Sequence, residues 1–176
     1  SGNYTADFIA GFSATSAIGV RTADCIPVLL YDPVHRVVGA AHSGWRGSVN
    51  KIAAQAVLAM VKKFGSKPAD INAVIGPGIG PDSFQVGEDV AKLFKASGFP
   101  VEKIWSFRGP RVEGSMAGGH HIDLWQVCRI TLVECGLADS NIATAGICTY
   151  ESPDFYSARR DGAQCDRIVS SIKLID

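Results

Sequence analysis

Short runs of apolar and β-branched residues separated by turn signals dominate the first quarter of the chain. Residues 17–22, 26–31 and 37–42 each have the length and composition of a strand. Between the last two, Asp32-Pro33-Val34-His35 puts Asp at the first and Pro at the second turn position, which predicts a hairpin. The period then changes. Over residues 48–64, Val49, Ile52, Ala53, Ala56, Met60, Val61 and Phe64 recur at the spacing of one helix face, and Gly65 supplies the stop. Residues 71–75 read as a buried strand running into the rigid turn Gly76-Pro77-Gly78-Ile79-Gly80-Pro81, and residues 88–97 as a second helix closed by Gly98. Asp123 caps a third helix, which carries Leu124, Val127, Cys128, Thr131, Leu132 and Cys135 on one face and stops at Gly136. Residues 142–148 and 167–175 read as strands. Mixed strands and three helices, with no repeat and no Pro/Ser-rich linker, predict one α/β (α+β) domain over residues 1–176.

Composition narrows the function classes. At 176 residues with 47% hydrophobic and 19% charged residues, the chain can bury roughly 70% of its unfolded surface, so it needs neither disulfides nor a metal merely to fold. Seventeen Lys and Arg balance seventeen Asp and Glu, which argues against a nucleic-acid footprint or a polybasic membrane patch. Apolar runs are far short of a membrane span. Five cysteines (Cys25, Cys128, Cys135, Cys148 and Cys165) form no C-x-x-C pair, and no signal pattern precedes them, so a reduced, cytoplasmic protein is expected. The start at Ser1-Gly2-Asn3, without Met, leads to the expectation that an N-terminal segment of a longer protein is missing.

The hairpin supplies the chemistry. If Asp32 faces His35, the same register makes Cys25 face His42, and facing Cβ atoms lie about 4.5–5.5 Å apart. That separation suits a thiolate and an imidazole on one metal, and equally a Cys–His ion pair. Asp24 and Arg46 flank the two, and a nearby cation favours the thiolate. The bland alternative is a small buried cysteine and a satisfied turn histidine. Two ligands do not complete a zinc site. His120 and His121 are the other available imidazoles, His35 being used by the far turn; otherwise the third ligand lies outside the chain. Arg159-Arg160-Asp161-Gly162 places two guanidiniums where phosphate or carboxylate recognition, or a surface ion pair, would use them. Residues 76–81 match neither a P-loop nor G-x-G-x-x-G and read as a tight turn. Trp45 and Trp125 could stack on a planar ligand, though core packing is tryptophan's ordinary role.

Thr22-Ala23-Asp24-Cys25-Ile26-Pro27-Val28-Leu29 and Ala41-His42-Ser43-Gly44-Trp45-Arg46-Gly47 resemble the two most specific motifs of the YfiH family, labelled laccase-domain or polyphenol oxidase and later associated with purine nucleoside phosphorolysis. Residues 76–81 with Phe84 and Val86-Gly87, then His121-Ile122-Asp123-Leu124, Cys148-Thr149 and residues 157–162, resemble its later blocks in order. The resemblance implies a layered α/β/β/α sandwich with mixed sheets, related to toxin deamidases that use a Cys–His pair. It also implies a zinc site built from Cys25, His42 and a histidine of an upstream motif that this sequence does not contain. Ala158 stands where the family usually has tyrosine. The implied activity is phosphorolysis of adenosine- and inosine-type nucleosides, with adenosine deamination. Cys25, His42 and Asp24 are then the catalytic candidates, and Arg46, Arg159 and Arg160 the candidates for binding phosphate and nucleoside. Three rivals stay open: copper-dependent phenol oxidation, which only two Met and four His argue against; a metal-free Cys–His hydrolase or deamidase; and a truncated interaction domain.

Overall fold

The apolar runs of the predicted hairpin become the centre of a five-stranded sheet in the computed structural model, which describes residues 8–11, 16–108 and 119–175. The first elements are strands β1 (Phe8–Gly11), β2 (Ile18–Thr22), β3 (Ile26–Asp32) and β4 (Val37–Ser43), then helices α1 (Trp45–Val49) and α2 (Ile52–Phe64). Strands β5 (Asn72–Ile75) and β6 (Gln85–Val86), helices α3 (Glu88–Ala96) and α4 (Val101–Ile104), and strands β7 (Trp105–Arg108) and β8 (Gly119–Ile122) come next. After them come α5 (Leu124–Glu134), β9 (Ile142–Thr144), α6 (Ala158–Asp161) and β10 (Ile168–Ile172). The main sheet has the order β1-β4-β3-β5-β9, antiparallel except for β5 with β9. β2 and β10 make a two-stranded ribbon, and β6-β8-β7 a small third sheet.

One face of the main sheet carries Ile26, Val28, Leu30, Val37 and Ala41 into a core shared with Ala53, Ala56, Val57 and Met60 of α2 and Val127 and Leu132 of α5. Gly39 lets α2 approach: a Cβ there would lie 3.1 Å from Met60 Sδ. Val38 and Ala40 on the other face are also buried, and the β2–β10 ribbon lies against β4 and β3. Helices, sheet and ribbon form the layered, mixed α+β fold that the sequence predicts. Among the described residues, no helix is long and apolar enough to cross a membrane.

Three expectations are corrected. Asp32 pairs with Val37, not His35, and His42 pairs with Pro27. The loop holds four residues because the Asp32 carboxylate accepts from the N–H groups of Val34 (2.8 Å) and His35 (3.2 Å) and contacts His35 Nδ1 (2.8 Å), while Arg36 turns left-handed at φ +52. This two-residue shift preserves side-chain alternation, so Cys25 and His42 keep one face as diagonal neighbours instead of facing ones. The helix expected over 48–64 is two: α1 begins at Trp45, and Lys51, at φ +53 with its ammonium 2.7 Å from Glu134 Oε2, breaks the chain before α2. The stop at Gly65 is as expected, with φ +74 and its N–H on the Val61 carbonyl. Finally, the strand read over 142–148 is regular only to Thr144; Cys148 makes an isolated bridge to Gly78.

Candidate active site

Cys25 ends the corner between the ribbon strand β2 and the sheet strand β3, and His42 is the one β4 residue that is not buried. Together with Gly44, Trp45, Arg46 and Gly47 they line a cleft of about 400 Å³. A Cβ placed on Gly44 would lie 3.0 Å from Cys25 Sγ and 3.9 Å from His42 Nε2. Gly44 has φ −71 and ψ 166, a conformation open to any residue, so what demands glycine here is space. Thiol and imidazole converge on the notch that its missing side chain leaves.

The cleft does not favour a free thiolate. Burial pushes the Cys25 thiol up, the neighbouring Asp24 carboxylate pushes it further, and Arg167 pulls it back in part. The expected thiolate-stabilising cation was Arg46. Its guanidinium instead lies over the Trp45 ring, 4.2 Å from the centroid, exposed at the rim. Asp24, a nearly buried residue at φ +80, accepts from Thr149 Oγ1 and from the Arg159 backbone N–H, each at 2.7 Å. Its carbonyl accepts from Ile79 N–H at 2.8 Å.

The paired arginines divide. Arg160 donates to the carbonyls of Thr149, Tyr150, Ser152 and Phe155 at 2.6–3.1 Å and pairs with Asp161, which is the geometry of a loop clamp. Arg159 donates to the Gln85 carbonyl at 3.1 Å and stands over Phe84. Both guanidiniums therefore donate to the protein's own carbonyls, whereas that of Arg46 stacks on Trp45 at the cleft. In the 76–81 turn, the N–H groups of Gly76, Gly78 and Ile79 go to the carbonyls of Pro27, Ile147 and Asp24, so the segment is a strand-to-strand lock. His121 is buried with Nδ1 3.0 Å from the Pro81 carbonyl, and His120 accepts at Nδ1 from Trp105 Nε1. Neither lines the cleft. Among the described residues no three His, Cys, Asp or Glu side chains cluster as a metal site. Trp125 lines a separate cavity with Gly80, Cys148 and Glu151. Sequence reasoning gives no role to Gly44 or Thr149, although Gly44 lies inside the block of residues 41–47 and Thr149 inside Cys148-Thr149; membership of those blocks is the signal that could have found them.

Comparison with known proteins shows the family. Residues 3–175 match the family model described as multi-copper polyphenol oxidoreductase laccase. The chain is 41% identical over 156 residues to a protein of Bacteroides thetaiotaomicron named purine nucleoside phosphorylase, covering 88% of this chain and 56% of that one. It is 37% identical, over 88% of this chain and 57% of the relative, to adenosine deaminase RL5 of an unknown prokaryotic organism. The solved structure of the hypothetical protein YfiH of Bacillus licheniformis superposes with a TM-score of 0.84 at 32% identity, covering 96% of this chain and 61% of that one. The chain thus spans little more than half the length of these relatives. With sequence blocks, fold and family model in agreement, the chain belongs to the YfiH family of laccase-domain proteins.

Proposed function

We propose that the Cys25–His42 cleft is the catalytic centre of a zinc-dependent purine nucleoside enzyme, which cleaves adenosine- and inosine-type nucleosides by phosphorolysis and deaminates adenosine. The observation that carries this reading is the convergence of Cys25 Sγ and His42 Nε2 on the Gly44 notch, in a chain whose relatives bear those two activities as names. A soft sulfur and an imidazole nitrogen are two of the donors zinc prefers, and a notch kept free of a side chain leaves room for an ion. The fit is to two of its positions; the third ligand is assigned to the upstream histidine of the family. Bound zinc would supply Lewis acidity and stabilise the Cys25 thiolate that burial otherwise opposes.

The remaining work falls to the chain itself. Arg46, fixed over Trp45 at the rim, offers a planar pair of donors to phosphate. In phosphorolysis a phosphate oxygen bonds to the sugar C1′ as the bond to the base nitrogen breaks, its electron pair leaving with the purine. Arg46 holds the anion in line for that displacement. In deamination water adds at C6 and ammonia leaves, with no anion to bind. A metal-free cysteine hydrolase is the less favoured reading, because burial and then Asp24 push the Cys25 thiol up, with Arg167 opposing them in part. Incubating the full-length protein with adenosine, with and without phosphate, and resolving adenine, inosine and hypoxanthine tests the proposal. Phosphate-dependent adenine together with phosphate-independent inosine is expected; absence of all three products overturns it.

A further inference from the structure

The residue before Cys25 has a backbone conformation that side chains other than glycine rarely adopt. Asp24 sits at φ +80, and strain of this kind persists only where the surroundings over-determine it. They do so here. One carboxylate oxygen accepts from Thr149 Oγ1 at 2.7 Å, the other from the Arg159 N–H at 2.7 Å, and the Asp24 carbonyl accepts from Ile79 N–H at 2.8 Å. Thr149 is itself fully buried, and its N–H is fixed on the Gly78 carbonyl at 3.0 Å. Arg159 is fixed by the turn that Ser157 caps: the Ser157 hydroxyl accepts from Arg160 N–H at 3.1 Å. Gly78 then closes against the corner, since a Cβ there would lie 3.1 Å from the Asp24 carbonyl oxygen and 3.3 Å from that of Cys25. The corner from β2 into β3 is thus gripped partly by residues more than a hundred positions later. Cys25 is the very next residue after the gripped Asp24.

We infer that Thr149 is a positioning residue for the Cys25–His42 site: its buried hydroxyl locks the Asp24 carboxylate, and with it the left-handed corner that delivers Cys25 into the cleft. This reassigns Asp24 from catalytic candidate to positioning residue, and it rests on the proposed metal site only for its consequence. Without the hydroxyl, one buried carboxylate oxygen loses its charge-assisted bond and the corner relaxes toward right-handed backbone.

The test compares Thr149→Val, which keeps the shape and removes the hydroxyl, with Thr149→Ser, which keeps the hydroxyl. Two readouts are taken at fixed pH: the alkylation rate of Cys25 in chelator-treated protein, followed by peptide mass spectrometry, and the affinity for Co(II) with its thiolate-to-cobalt charge-transfer band. Thr149→Val should alkylate Cys25 at least about fivefold faster and bind Co(II) at least about tenfold more weakly, with a shifted or lost band. Thr149→Ser should restore both. Native alkylation and native Co(II) affinity in Thr149→Val overturn the inference, as does failure of Thr149→Ser to restore them. If Thr149→Val does not fold, Thr149→Ala, which removes the hydroxyl and leaves the Asp24 charge in place, carries the same expectation and the same refutation. Should the parent protein bind no Co(II), the metal reading fails, and the alkylation rates alone decide the role of Thr149.

Discussion

Gly44→Ala separates a glycine needed for space from one needed for backbone freedom. The new Cβ would stand 3.0 Å from Cys25 Sγ, whereas heavy atoms at their optimum lie about 3.5–4.0 Å apart. The thiol must retreat by several tenths of an ångström. A metal-bound sulfur is held near 2.3 Å, within about 0.2 Å, so that retreat exceeds what the bond tolerates. Rotating χ1 by about 30° to escape costs roughly 0.5–1.5 kcal/mol before any loss of ligand geometry, and disturbed ligand support typically costs 10–100-fold in affinity. Zinc affinity should therefore fall by about 10–100-fold, roughly 1.4–2.8 kcal/mol. The backbone at φ −71 accepts alanine, so stability should fall by no more than about 2 kcal/mol, the rotamer cost together with an ordinary change at a helix cap. Competition with a fluorescent zinc chelator reads the first quantity and thermal unfolding the second. Native zinc affinity in Gly44→Ala would show that the two donors do not share the notch. A collapse of thermal stability alongside the affinity would make Gly44 a backbone position and refute the reasoning from space.

Arg46→Lys should reduce phosphate-dependent cleavage at least about tenfold and deamination far less, since only the former binds the anion bidentately; parallel loss of both with a lowered Tm would make Arg46 structural. Arg160→Ala should lower Tm by several degrees through loss of four carbonyl contacts, with the KM for phosphate unchanged; a raised KM for phosphate at native Tm would contradict the clamp. The Cys128 thiol, fully buried in the core, is pushed up to about 12 by burial from an ordinary 9.0. Below 9.0 folded and unfolded chains both hold that proton; between 9.0 and about 12 only the folded chain does, so stability falls as pH rises. The slope from this group is at most about 1.4 kcal/mol per pH unit, and Cys128→Ala should flatten the alkaline limb of a denaturation series. An unchanged limb would contradict the buried-thiol account.

Much of this architecture is legible in the residues, and what is not legible has identifiable causes. Continuous apolar runs mark β3 and β4, which are buried on both faces, and helical spacing marks α2, α3 and α5, which each bury one. Gly65, Gly98 and Gly136 stop their helices with positive φ, as their positions suggest. The hairpin register escaped because Asp32 bonds the loop through its side chain, and side-chain capture of two N–H groups leaves no pattern in spacing. The shared face of Cys25 and His42 survived that error because a shift of two preserves alternation; a shift of one would have destroyed it. Strands β6, β7 and β8 are two to four residues long, too short to show a period. The paired arginines mislead for another reason. Their acceptors are backbone carbonyls, which every residue possesses, so sequence does not distinguish an inward clamp from an outward anion site. Thr149 and Asp24 lie 125 positions apart, and only the folded chain shows that one holds the other.

The central claim is that Cys25 and His42 hold one metal between them. Anomalous diffraction at the zinc edge, from crystals of the full-length protein grown with zinc, tests it most directly. The account predicts a peak at the Gly44 notch within bonding distance of both Cys25 Sγ and His42 Nε2, lost in Cys25→Ser. A peak held instead by His120 or His121, or an empty notch at saturating zinc, would contradict it.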